Sequence, residues 1–323
     1  MDILETRFRI VTPLFMGGAS PGTTAELREP SIKGVLRYWY RAIDPEYKKH
    51  EARIFGGAGK GQGQSSFLLR IDRFQNTVTM KPHTAINNKG LTYFMFPFTL
   101  EGGRRSYLEP NAMVRLQFVF KETLTPEDQQ RILAAIWLMG HIGGLGTRSR
   151  RGFGSFSLQS WQVNNEAWQT MKELPILSNS ETPTTWKKQF ENGLNTLKKW
   201  FYAGNADAGQ RICTHAVLGK NTVFKLLTKK FTTWNDCLAR VAKDMQKFRK
   251  ENTGSGEPFG LPWGSSDERS ASRIHVRILN LNPKYYALVF RMDGPLRKDA
   301  EQDDTILENY MNNLPKSSLE VKW

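Results

Sequence analysis

Gly140 to Phe156 reads GHIGGLGTRSRRGFGSF, and the placing of this stretch decides how the rest of the chain is read. Gly144-Leu145-Gly146 is followed by five residues and then by Gly152-Phe153-Gly154. The five are Thr147, Arg148, Ser149, Arg150 and Arg151. Glycine admits positive φ and lets a backbone approach a ligand closely, so a loop bracketed by two Gly-x-Gly pairs can present bare amides. Three guanidinium forks add donors suited to phosphate oxygens. No Asp or Glu occurs between Asp128 and Glu166 to neutralise them. The stretch therefore reads as a seat for a polyanion, against the plainer alternative of a turn whose arginines serve solubility. It is not a dinucleotide fingerprint, because that motif follows a strand and opens a helix, whereas this one closes a helix and opens a strand.

Working outward, the helix before the loop carries Thr125 as cap, Pro126 in the first turn, and Glu127 and Asp128 at the positive end of the dipole. It runs through Ile132, Ile136 and Met139 to Gly140. Phe153 to Trp161 reads as the strand after it, and Met113 to Lys121 as the strand before. Thr6 to Val11 is a first strand. A helix capped by Ser31 follows, with Ile32, Val35, Leu36, Trp39 and Ile43 on its core face. Lys33, Arg37 and Arg41 share another face with Tyr40, a cation row beside an aromatic of the kind that single-stranded RNA uses; the alternative is a solvated helix face. Gly56 to Gly63 contains a Gly-Lys pair, but Gly61 stands where a P-loop needs Ser or Thr, and Ser66 to Phe74 reads as a strand. An ATPase is excluded. Thr77 to Leu100, around Asn87-Asn88-Lys89-Gly90, is expected to be a projecting β-hairpin insertion.

Residues 1–162 thus run strand, helix, strand, strand, helix, strand, the ferredoxin-like order. Residues 163–185 read as a polar linker. Residues 186–323 repeat the order, with helices over Trp186–Phe201, Trp234–Arg249 and Asp303–Leu314 and strands at Thr222–Thr228, Ser272–Asn280, Tyr285–Met292 and Ser318–Trp323. Phe55-Gly56 before a Gly-rich loop is echoed by Phe259-Gly260 before another, each loop leading through paired serines to a strand. The fold class is α+β: two tandem ferredoxin-like (RRM-like) domains with a Gly-rich loop and a hairpin insertion.

A formal charge of +15 and a pI of about 9.8 over 323 residues favour an acidic partner such as nucleic acid or an anionic membrane surface. Residues 186–250 alone hold fourteen Lys or Arg against four acids. No apolar run approaches a membrane span, and with Cys213 and Cys237 the only cysteines, a reducing, cytoplasmic setting is expected. The five histidines form no metal spacing, so no metal or cofactor is expected. His141, beside the cationic loop, is the one candidate general base, for a metal-independent ribonuclease that takes a 2′-hydroxyl proton.

The Gly144–Gly154 pattern between helix and strand resembles the glycine-rich loop of the RAMP superfamily of CRISPR-associated RNA-binding proteins. Within it, Thr12 to Ala42, and LREPSIKGVLRYWYRA above all, is similar to the opening of the first RAMP subunits of type III-B (Cmr) effector complexes; IFGG at Ile54, FGLPWG at Phe259 and RSASRIHVRI at Arg269 also fit. The resemblance implies a non-catalytic subunit with two RAMP domains, among other RAMP subunits and away from any membrane. Such a subunit holds the 3′ part of the crRNA and meets the 5′ part of the single-stranded target RNA, in antiviral defence. Carried onto this chain, Gly144, Gly146, Gly152 and Gly154 shape the loop, Arg148, Arg150 and Arg151 contact phosphate, and Lys33 and Arg37 form a second basic wall, with Arg41 beside them. Two other roles stay open: an endoribonuclease that matures CRISPR RNA, and a scaffold whose charge matches acidic protein partners.

Overall fold

The computed structural model describes residues 1–72, 80–166, 168–202, 215–252, 257–260, 271–294 and 300–323. The first half is built from β1 (Ile3–Ile10), α1 (Glu29–Ile43), α2 (Tyr47–Phe55), β2 (Phe67–Ile71), β3 (Met80–Pro82), α3 (Thr92–Thr99), β4 (Ser106–Leu108), β5 (Met113–Phe120), α4 (Pro126–His141) and β6 (Phe156–Val163). Its main sheet is antiparallel in the order β2-β5-β1-β6. Alternation in β1 and β5 turns Leu4, Phe8, Ile10, Val114, Leu116, Phe118 and Phe120 inward. They meet the buried stripes of α1 (Ile32, Leu36, Trp39, Ile43) and α4. Thr125 caps α4 by accepting from the Asp128 amide.

The second half comprises α5 (Pro183–Tyr202), β7 (Val223–Leu226), α6 (Trp234–Glu251), β8 (Ile274–Leu281), β9 (Lys284–Arg291), α7 (Ala300–Asn313) and β10 (Leu319–Lys322). Its antiparallel sheet runs β10-β7-β9-β8. Numbered within each half, both sheets have the strand order four-one-three-two, with a helix after the first and third strands. Here the sheet is covered on both sides: Val276, Ile278, Ala287 and Val289 join the core under α6 and α7, while Leu279, Leu281, Leu288 and Phe290 join the core of the first half. Helix α5 is the mortar between them. Phe190 stacks on Trp137 of α4 at 5.7 Å and meets Phe224 of β7 edge-on at 5.0 Å.

Four local expectations are corrected. The run Leu91 to Leu100 forms 3-10 turns and the helix α3 rather than a strand, and only the short β3–β4 pair remains of the hairpin. Leu91, Phe94, Met95 and Phe98 recur at helical spacing and bury against α6, so the segment is docked, not projecting. Residues 77–79, its expected beginning, and Ser265, Ser266 and Ser270 of the second echo lie outside the described residues. Helix α1 begins at Glu29 with Pro30 in its first turn and no side-chain cap, so Ser31 is helical. The sequence between Tyr47 and Phe55 is a helix that the reading above does not contain. Finally, the polar stretch after β6 is packed, with Trp168 and Leu177 buried under 3-10 turns.

One side chain at the joint of the two halves carries a buried charge. Arg277 of β8, 2% exposed, donates to the carbonyls of Gly143, Gly140 (2.7 Å) and Phe156 (3.0 Å). It thus caps the negative end of α4 with a cation from the other half. Burial pushes its guanidinium down to about 9. Arg277→Ala should lower unfolding stability by about 3 kcal/mol, since it leaves a cavity and three unpaired carbonyls. Urea unfolding followed by tryptophan fluorescence checks this, and a change below a few tenths of a kcal/mol would refute the joint.

Candidate nucleic-acid interface

The Gly-rich loop lies between α4 and β6, as expected. Gly146, Gly152 and Gly154 take positive φ, as does Arg148, while Gly144 bridges to Ser155. At Gly154, φ +62, a Cβ would fall 1.9 Å from the Leu145 carbonyl; at Gly152, φ +82, one would fall 2.5 Å from Leu238 of α6. The latter glycine is therefore required where the second half closes on the loop. The expected bare amides are largely bonded: Leu145 to Gly154, Thr147 to Phe15, Arg151 to Arg148, Gly152 to Ser149 and Gly154 to Pro13. The loop is a tied knot.

Its three arginines have separate fates. Arg151 is buried, donating to Ser272 Oγ (3.0 Å), the Ile274 carbonyl (3.3 Å) and the Phe259 carbonyl. Desolvation pushes its guanidinium down to about 10. It holds the second half with both of its terminal nitrogens. Arg148 donates to the Phe94 carbonyl of α3 at 2.8 Å, and burial lowers its pKa. Arg150 donates to the Ser272 carbonyl at 2.8 Å and lies 5.5 Å over the ring of Tyr38 on α1. Both remain partly exposed, with donors beyond the single side-chain hydrogen bond each makes among the described residues.

Across α1 the cations are better presented. Lys33 reaches Ser65 Oγ at 2.6 Å and sits 5.2 Å over Phe67. Its pKa is lowered, first by burial and then by Arg37 and Lys121 nearby. Arg37 donates to the Phe55 and Gly56 carbonyls at 2.9 and 2.7 Å and pairs with Glu51 at 3.1 Å. Arg41 is bidentate to the same Glu51 from Nε (2.9 Å) and Nη2 (2.5 Å), which raises its pKa. Lys33, Arg37 and Lys121, with Gly56, Gly57, Gln64, Ser65 and Leu68, line an open cleft of about 640 Å³. Tyr40, expected with these cations, is fully buried and donates to Asp44 at 2.8 Å. The structure thus gathers Lys33 and Arg37, brings Arg150 to the far flank of α1 through Tyr38, half-neutralises Arg41 and withdraws Arg151.

Lys121, just after β5, is the cation of this cleft that sequence reasoning missed; nothing local marks a lysine after a strand as facing Lys33. Glu51 was missed with the helix that carries it. The Phe-Gly echo has a structural counterpart: Gly56 and Gly260 both have positive φ, and the carbonyls of Phe55 and Phe259 each accept from an arginine, Arg37 and Arg151 respectively. Among the described residues there is no cluster of three or more metal-ligating side chains, and no helix is long and apolar enough to cross a membrane.

With this geometry in view, the comparisons with known proteins converge. A family model described as the RAMP superfamily matches residues 7–157. The CRISPR system Cmr subunit Cmr1-1 of Pyrococcus furiosus is 22% identical over 292 residues, covering 82% of this chain and 80% of its own length. Subunit Cmr1-2 of the same organism is 26% identical over 174 residues, 46% of this chain and 91% of its own. The crystal structure of apo Cmr1 from Pyrococcus furiosus superposes with a TM-score of 0.68 at 18% identity, covering 99% and 98% of the two chains. A chain in the cryo-EM structure of type III-B Cmr-beta bound to cognate target RNA gives 0.57 at 12% identity, covering 96% and 99%. Residues 7–157 of the chain thus resemble the RAMP superfamily. Within it, the likeness to the first RAMP subunit of Cmr systems holds along nearly the whole length.

His141 is 2% exposed, its ring edge-on to Trp137 at 5.2 Å, and its Nε2 has no partner among the described residues. Burial, helped by Arg277, drives its pKa well below 6.5, and burial does the same to His275. Below about pH 6.5 the unfolded chain binds a proton on each that the folded chain refuses, so folding stability falls as pH falls. The expected loss is about 1.4 kcal/mol per pH unit for each histidine. Urea unfolding at about pH 7.5 and 5.5 measures it, and His141→Phe should remove its share; an unchanged slope would contradict a buried neutral ring.

Proposed function

We propose that this chain is a non-catalytic RNA-binding subunit of a type III-B CRISPR ribonucleoprotein, holding the 3′ part of the crRNA or the 5′ part of the target RNA. The two halves are read as tandem ferredoxin-like RAMP domains, 1–162 and 186–323, since both sheets share one strand order. The observation that carries the RNA reading is the cleft at α1. There Lys33, Arg37 and Lys121 line one cleft, burial and then the two neighbouring cations lower the pKa of Lys33, and neither lysine is paired with a carboxylate among the described residues. Like charges held together in a low-dielectric wall attract an anion strongly. The cognate target RNA bound in the Cmr-beta structure that this fold resembles is a polyanion of the kind that fits. Ribonuclease chemistry through His141 has no support in the geometry, because that ring is enclosed by Trp137 and the end of α4.

The phosphate contacts are assigned to Lys33, Arg37, Lys121 and Arg150, with Arg41 and Arg148 at the margins and Arg151 as a tether. Lys33→Ala with Lys121→Ala should weaken single-stranded RNA binding irrespective of sequence, and should flatten the slope of log K against log salt by about 1.4. Arg151→Ala should instead lower stability and leave that slope unaltered. Fluorescence anisotropy across a salt series separates the two, and a double-lysine variant with parental slope would sink the cleft as the RNA site. Gentle purification from the native cell tests the assembly itself: short RNAs sharing a 5′ repeat sequence, together with other RAMP subunits, are expected. Protein recovered alone would contradict it.

A further inference from the structure

Gly34 stands in the middle of α1 at a position where the fold gives no reason for glycine. At about 3.6 residues per turn, it lies directly opposite Ile32, Leu36, Trp39 and Ile43, the residues that bury the helix. It is exposed, its φ is not in the left-handed region, and a Cβ built on it would meet nothing within 4 Å. Neither backbone conformation nor a close neighbour within the chain therefore requires it. A glycine in an exposed helix interior destabilises the helix relative to alanine. Its flanks are chemically distinct from one another. Lys33 and Arg37 lie to one side, and Ser31 and Tyr38, with Arg150 stacked on that ring, lie to the other.

We propose that Gly34 is the floor of the nucleic-acid seat. The sugar–phosphate backbone of a single-stranded RNA lies directly on the bare helix backbone at this residue, its phosphates divided between Lys33 and Arg37 on one flank and Arg150 on the other. The missing side chain lets the strand sink to a depth at which both flanks reach it. The exposed face is one helix wide, about 10 Å, which suits one strand. This rests on the RNA-binding reading above, and assigns to that site the residue that sets its depth.

The test compares the full-length protein with Gly34→Ala and Gly34→Gln, by thermal melting and by anisotropy with a labelled, unstructured single-stranded RNA at several salt concentrations. Both variants should melt higher, by roughly 2 °C. Gly34→Ala should bind about threefold more weakly and Gly34→Gln at least about tenfold. The salt slope should stay parental, since no charge is lost. Gly34→Gln binding as tightly as the parent would overturn the proposal and leave the RNA-binding reading standing, and would point to a protein partner over this face. Lower melting temperatures in both variants would overturn it by showing a structural need for glycine. A parent protein that binds no RNA would take down the RNA-binding reading and this inference together.

Discussion

The burial of Arg277 between the two halves is the constraint on which the rest depends. A guanidinium removed from water must find its acceptors locally, and here they are the carbonyls at the end of α4 and the start of β6. Those are the two anchors of the Gly-rich loop. The second half therefore cannot shift without unsatisfying the charge, and the loop cannot shift without losing its cap. The other ties across the joint run in parallel: Ile278 donates its amide to Ser155 Oγ at 3.1 Å, Val276 donates to the Arg150 carbonyl at 3.0 Å, and Arg151 reaches back to Ser272 and Ile274. Loop and joint are one object.

That identity explains why the arginines divide as they do. A loop that presents three guanidinium groups to RNA would have to leave the adjoining sheet edge to pair with something else. Instead β8, buried along nearly its whole length, is covered by the loop itself. Arg151 is consumed in that closure, and Arg150 is left on the side facing α1. The best-presented cations thereby lie one step away, on the helix beside the loop. There Glu51 and the carbonyls of Phe55 and Gly56 hold Arg37 in place.

Much of the fold is legible in the sequence because it is written in local chemistry. Thr125-Pro126-Glu127-Asp128 starts α4 by capping and dipole, and the alternation of Met113 to Phe120 needs no partner to be recognised. The misreadings have a different cause. LTYFMFPFTL is rich in β-formers, yet Leu91, Phe94, Met95 and Phe98 already recur at helical spacing, and burial against α6 decided in favour of that period over propensity. Tyr40 sits beside Arg37 and Arg41 along the chain, but its hydroxyl has a partner in Asp44 one turn on, which lets the ring go inside. At the site, Lys33 and Arg37 could be found from their spacing. Lys121 and the tethering role of Arg151 could not, because each depends on which segment lies opposite in space.

The same reasoning separates charge that is placed from charge that merely accumulates. Much of the excess in residues 186–250 lies on the outer faces of α5 and α6, where Arg240 pairs with Asp244 and Lys187 with Glu191 at helical spacing. Such pairs are solvated and worth little. The cations of α1 differ because their positions are fixed before any ligand arrives: Lys33 is held by Ser65 and Phe67, Arg37 by two carbonyls and a carboxylate, and Arg150 by Ser272 and Tyr38. A long side chain already ordered loses less entropy when it meets a phosphate. Net charge is spread over the whole molecule; the row around α1 is the part of it that the fold holds in place.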